Sequence, residues 1–132
     1  PVGIIYQLHK IECANIAVQP LLQGVSLFFL CYLRAMKLFY RKSGQGKPLI
    51  ILHGLFGSSD NWFSLAKVFA ESFTVYLVDQ RNHGQSPHTE EFNYKLLTED
   101  LANFIREHQI EKPHIIGHSM GGKTAMNFAV KY

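Results

Sequence analysis

From Lys37 onward, short apolar runs alternate with longer stretches whose apolar positions recur every three or four residues. Lys37–Arg41 alternates as a half-buried strand does, and Ser43-Gly44-Gln45-Gly46 supplies the turn after it. Pro48–Leu52 is continuously apolar, the texture of a strand covered on both faces, and Phe73–Val78 and Pro113–Gly117 have the same character. Between these runs, Trp62, Leu65, Ala66, Phe69 and Ala70 fall at helical spacing behind Asp60 as N-cap. Leu97, Leu101, Phe104, Ile105 and His108 mark one face of a second helix capped by Asn93, and Met120–Val130 is small and helix-compatible. Alternating strands and helices demand parallel pairing with right-handed crossovers. The pattern predicts an α/β fold: a predominantly parallel sheet with flanking helices.

The first 35 residues have a different texture. Leu21–Leu33 is a greasy run, shorter than the roughly 20 apolar residues that a bilayer-spanning helix needs. It matches a signal-peptide core in length, yet no basic cluster directly precedes it and no Ala-x-Ala site follows. We read residues 1–35 as an upstream extension, with Met36 as the natural start and 36–132 as the folded unit. A peripheral anchor that lays residues 21–33 against a membrane is the rival reading.

Composition narrows the classes. The 132 residues are 47% hydrophobic and 17% charged, which excludes global disorder. A net charge of +3 gives no clustered basic stripe, so nucleic acid is not an expected partner. Cys13 and Cys31 fit neither a metal pattern nor a disulfide framework, and a reducing, cytoplasmic compartment is the expectation.

Three glycine-bearing segments follow the three apolar runs. Gly117-His118-Ser119-Met120-Gly121 is G-x-S-x-G between a buried strand and a helix. A sharp turn there lifts the Ser119 hydroxyl clear of the sheet, and Gly117 and Gly121 give the backbone room. The following helix aims its first N–H groups at the place where an oxyanion would form. The same stretch, read through Gly122-Lys123-Thr124, satisfies G-x-x-x-x-G-K-[ST], a P-loop in which Lys123 and Thr124 would serve phosphates and Mg²⁺. Both patterns require strand, turn and helix, so local context does not separate them.

The upstream segments favour acyl transfer. His53-Gly54-Leu55-Phe56-Gly57 leaves the end of its strand at the crevice where ligands bind. Gly54 permits close backbone approach there, and the Leu55 N–H can join that of Met120 as an oxyanion pair. Asp79–Ser86 follows the next strand, and its expected work is structural: Arg81 offers donors to neighbouring carbonyls and carboxylates, and Gly84 allows a positive φ.

These three motifs, in this order and on these strands, resemble the α/β-hydrolase family over Lys37 to Tyr132, and especially the small YbfF-type esterases. The resemblance implies Ser119 as nucleophile, the Leu55 and Met120 amides as oxyanion hole, and His53, Gly54, Gly117, His118 and Gly121 as shapers of the site. It gives Lys123 no phosphate role, and it implies a small-molecule ester or thioester as substrate. In that family the acid and the base follow the serine, whereas no Asp, Glu or His follows Ser119 here. We therefore expect residues 36–132 to be the N-terminal half of a truncated α/β-hydrolase fold, without its acid and base. The family arrangement also leaves the Pro113–Gly117 strand as an open sheet edge. No metal or organic cofactor is expected, because acyl transfer by serine needs none. A non-catalytic module on the same fold stays open as an alternative.

Overall fold

The computed structural model describes residues 4–7 and 36–132. The run Leu21–Leu33, both cysteines and His9 lie outside the described residues.

Among the described residues, five strands form one sheet: β1 (Ile4–Gln7), β2 (Tyr40–Ser43), β3 (Lys47–Leu52), β4 (Phe73–Val78) and β5 (His114–Gly117), in the order β1-β5-β3-β4-β2. The three inner strands are parallel and both edge strands are antiparallel. Three helices follow the inner strands: α1 (Phe63–Phe69), α2 (Tyr94–Glu107) and α3 (Met120–Lys131).

The continuous apolar texture of β3 reflects burial on both faces. Alternate side chains point to opposite sides, so Leu49 and Ile51 meet Ala66 of α1 with Val75, Leu77 and Ile116. Ile50 and Leu52 face the other layer, with Val78, Leu101, Phe104, Ile115 and Phe128. Each fully buried side chain of this size contributes about 1.5–3 kcal/mol. The register then sets up the site: Leu52 lies opposite Val78 on one side and Gly117 on the other. The residues that leave those three positions, His53, Asp79 and His118, therefore emerge side by side at one edge of the sheet.

The fold corrects several expectations in detail. The first strand after Met36 covers Tyr40–Ser43 rather than Lys37–Arg41. Phe39 uses its backbone elsewhere: its carbonyl accepts from Asp79 N–H, and its N–H donates to the Ser86 hydroxyl. Asp60 is not the helix N-cap. Ser58 caps a one-turn 3₁₀ segment, Ser59–Trp62, in a reciprocal box with Asn61, while Asp60 pairs with Arg41 at 2.7 Å. The tighter 3₁₀ turn shifts the phase of α1, so Ala66 is buried while Leu65 faces solvent. Asn93 caps α2 as expected, accepting from Leu96 N–H. The β5 edge is not open, because Ile4–Gln7 pairs along it, with Ile4 opposite Gly117 and Gln7 opposite His114. Among the described residues, no helix is long and apolar enough to cross a membrane.

Candidate active site

Ser119 sits between β5 and α3 with φ 50° and ψ −109°, a sparsely populated conformation for a residue with a side chain. Holding it there costs on the order of 1–3 kcal/mol, so the surroundings must enforce it. Three backbone hydrogen bonds do so: His118 N–H to Leu52 C=O at 3.0 Å, Gly121 N–H to His118 C=O at 2.9 Å, and Lys123 N–H to Ser119 C=O at 3.0 Å. The glycines admit the close approach. A Cβ at Gly117 would stand 2.4 Å from Gly121 O, and one at Gly121 would stand 2.4 Å from Leu52 O. The Ser119 side chain is exposed, and among the described residues its hydroxyl has no hydrogen-bond partner.

The loop after β3 closes over this corner. Gly57 N–H donates to Gly54 C=O at 2.9 Å, which leaves Leu55 and Phe56 at the tip of the turn. Gly54 lies so near the elbow that a Cβ there would stand 2.6 Å from His118 Nδ1 and 3.4 Å from Ser119 Cβ. Neither the Leu55 N–H nor the Met120 N–H has a partner among the described residues. Met120 opens α3, where helix geometry leaves the first N–H groups unpaired and the helix dipole favours negative charge.

His53 ties the loop down and is not a base. Its Nδ1–H donates to Gly54 C=O at 2.8 Å, and its Nε2 accepts from Gln80 N–H at 3.0 Å. Both ring nitrogens are committed to the neutral form, and burial lowers the pKa below the usual 6.5, only partly offset by the Gly54 carbonyl. Gln80 returns a hydrogen bond from its side chain to His53 C=O at 2.8 Å. The Thr124 hydroxyl lies 3.1 Å from both Gln80 Oε1 and Met120 O. One chain of polar contacts thus runs from the Leu55 loop to the first turn of α3. Sequence reasoning did not single out Gln80 and named Thr124 only for the P-loop alternative; nothing in their spacing marks this contact, and only the level strand ends bring them together.

The Asp79–Ser86 segment is structural, as expected. The buried Asp79 carboxylate accepts from Ser59 N–H at 2.6 Å and Gln85 N–H at 2.9 Å. Gly84, at φ +54°, packs so closely that a Cβ would stand 2.1 Å from Asp79 Oδ2. Arg81 forms a two-pronged pair with Asp100, at 2.5 and 2.8 Å, and donates to Glu91 C=O at 3.2 Å. The Asp100 carboxylate raises the Arg81 pKa above its ordinary value. Of the other histidines, His118 is exposed at the elbow near Trp62, while His108 and His114 pack on aromatic rings.

The P-loop alternative is corrected by this geometry. Only His118 and Ser119 separate β5 from α3, so Gly121 through Thr124 are helix and no phosphate-sized loop exists. The Thr124 hydroxyl is buried and held by Gln80 Oε1 and Met120 O. Lys123 Nζ lies over the Tyr94 ring, 5.5 Å from its centroid.

Comparison with known proteins finds relatives of the same fold. Residues 47–132 match the family model described as alpha/beta hydrolase fold. A Haemophilus influenzae protein named as an esterase/lipase is 50% identical over 78 residues, which is 59% of this chain and 27% of that protein. A Saccharomyces cerevisiae protein named "Probable alcohol acetyltransferase" is 47% identical over 95 residues, covering 66% of this chain and 28% of its own length. The solved structure titled "Marine microorganism esterase" superposes with a TM-score of 0.72 at 55% identity, covering 74% of this chain and 38% of that one. The chain thus spans roughly a third of the relatives it matches.

Proposed function

This chain belongs to the α/β-hydrolase family, and from that premise we propose that it carries the nucleophile of a serine hydrolase acting on carboxylic esters or thioesters. Ser119 Oγ attacks the carbonyl carbon, and the carbonyl oxygen becomes an oxyanion that accepts from the Leu55 and Met120 amides. The tetrahedral intermediate expels the alcohol or thiol and leaves an acyl group on Ser119, which water then removes. Where one such donor has been removed in hydrolases, the loss is about 3–4 kcal/mol. The step requires a base, oriented by a carboxylate, that takes the Ser119 proton and returns it to the leaving alcohol or thiol.

One observation carries the reading: Ser119 is held strained and exposed at a strand-to-helix corner, beside two amides with no partner among the described residues. The test is labelling of the intact protein with a fluorophosphonate, followed by peptide mapping. Labelling at Ser119, abolished with ester hydrolysis by Ser119→Ala, is expected. Normal hydrolysis by Ser119→Ala refutes the proposal.

A second acceptor is favoured by the likeness to the yeast protein named as an alcohol acetyltransferase. An acyl-enzyme can pass its acyl group to an alcohol as well as to water. Product partition in ethanol–water mixtures separates the two, since an ethyl-ester yield that saturates with ethanol concentration indicates an alcohol site, whereas a partition ratio linear in ethanol does not.

A further inference from the structure

A groove of about 440 Å³ has Leu55, Phe56, Asn82, His83 and Phe92 among its lining residues. Leu55, whose amide is assigned above to the oxyanion, lines it, so a bound ester would lay one arm there. Its apolar walls face solvent: Leu55 is 52% exposed, Phe56 93% and Phe92 40%. Phe56 also holds φ 61°, a left-handed conformation that is strained for a residue with a side chain. Strain of this kind clusters at ligand clamps, and here it sits beneath a phenyl ring with almost no protein packed on it.

His83 is the polar exception. It is 8% exposed, with its ring centroid 5.8 Å from that of Phe92. Its Nδ1 lies 2.9 Å from Arg81 O, and a carbonyl only accepts, so Nδ1 carries the proton. Nε2 of the neutral ring is then a lone-pair acceptor with no partner among the described residues. No side-chain nitrogen or oxygen sealed from solvent lacks a partner among those residues, so Nε2 keeps contact with solvent, and His83 lines the groove. Neighbouring Asn82 cannot substitute, because its amide is closed on Thr89 by two hydrogen bonds of 2.7 and 2.9 Å.

We propose that His83 is a specificity-determining residue whose Nε2 accepts a hydrogen bond from a hydroxyl on the ester arm lying in this groove. The preferred substrates are then esters with an apolar arm that bears a free hydroxyl. The inference rests on the Ser119 reading.

The test measures kcat/KM of the intact enzyme on two matched pairs: a fatty-acid propyl ester against its propylene-glycol ester, and an acyl methyl ester against its β-hydroxyacyl counterpart. A preference of roughly tenfold for the hydroxylated member is expected in at least one pair, the scale of one net hydrogen bond. His83→Leu brings that ratio to about one. His83→Asn keeps a donor for Arg81 O but has no acceptor at the Nε2 position, and it lowers the ratio likewise even if the leucine variant does not fold. His83→Gln, which can place an oxygen there, retains part of it. No preference in either pair, or a preference that survives both His83→Leu and His83→Asn, overturns the assignment. A Ser119 that labels with fluorophosphonate while the ratios stay flat removes the His83 role alone, whereas an unlabelled Ser119 removes both readings.

Discussion

Gly121→Ala is the most demanding test of how the corner is built. The added methyl would stand 2.4 Å from Leu52 O and 2.7 Å from His53 O, both backbone atoms at the end of β3. Ordinary contact begins near 3.4 Å, so the start of α3 must move about 1 Å away from β3 to accept it. That movement carries Ser119 and the Met120 amide with it, while the Leu55 amide stays with the loop after β3. A misplacement of about 1 Å can cost on the order of 10²-fold in rate. Stability should fall as well, because overpacking costs about 1–3 kcal/mol. Gly122→Ala is the internal control: its Cβ would meet Gly117 O at 3.2 Å and nothing nearer, and the helix gains roughly 0.5–1 kcal/mol from alanine. The assay pairs the second-order rate of fluorophosphonate labelling with urea unfolding of the intact protein. We expect Gly121→Ala to label about a hundredfold more slowly and to unfold earlier, and Gly122→Ala to stay near wild type in both. Equal rates and equal midpoints for the two variants would mean that the corner is not set by this contact.

Two further outcomes concern the supports of the site. Arg81 and Asp100 keep only 8% and 5% of their side-chain surface exposed, so Asp100→Ala leaves a buried guanidinium without its carboxylate and should cost about 3–5 kcal/mol in urea unfolding. A loss below about 1 kcal/mol would contradict a buried charge pair there. His53 is held neutral by burial with a pKa below 6.5, so the unfolded chain binds more protons at mildly acid pH. Its contribution to stability is therefore complete above 6.5 and declines as pH falls toward the folded-state value. Histidine ring chemical shifts followed with pH should show His53 still neutral just below 6.5, and a ring protonated there contradicts the assignment.

The inner strands were legible because burial on both faces makes their central positions continuously apolar, with polar residues only near the strand starts, and Phe73–Val78 stands as read. Element ends were less so where local hydrogen bonding overrode the pattern. Asp60 and Ser58 are both sound caps by residue type, and only the reciprocal bond to Asn61 decides between them. Ser119 and its glycines could be read because their spacing encodes a steric requirement. Gln80 and Thr124 could not, since their joint role depends on a register that places Val78, Leu52 and Gly117 level across three strands. The pairing of Ile4–Gln7 on β5 is equally invisible to a local reading, because it joins segments more than a hundred residues apart.

The same eight residues, Gly117 to Thr124, satisfy two motifs, and the starting point of the helix separates them. A phosphate cradle needs several consecutive amides outside the helix, pointing inward around an anion. Here the helix begins at Met120, so one residue after the serine the amides already run along the helix axis. That start is enforced from outside the motif: His118 N–H is held by Leu52 O, and Gly121 is pressed against the end of β3. Delaying the start to Lys123 would break the first contact and open a void at the second. The partner strand therefore fixes a helix start that leaves no room for a phosphate cradle, and the loop after β3 holds the second amide on which the proposed acyl transfer draws.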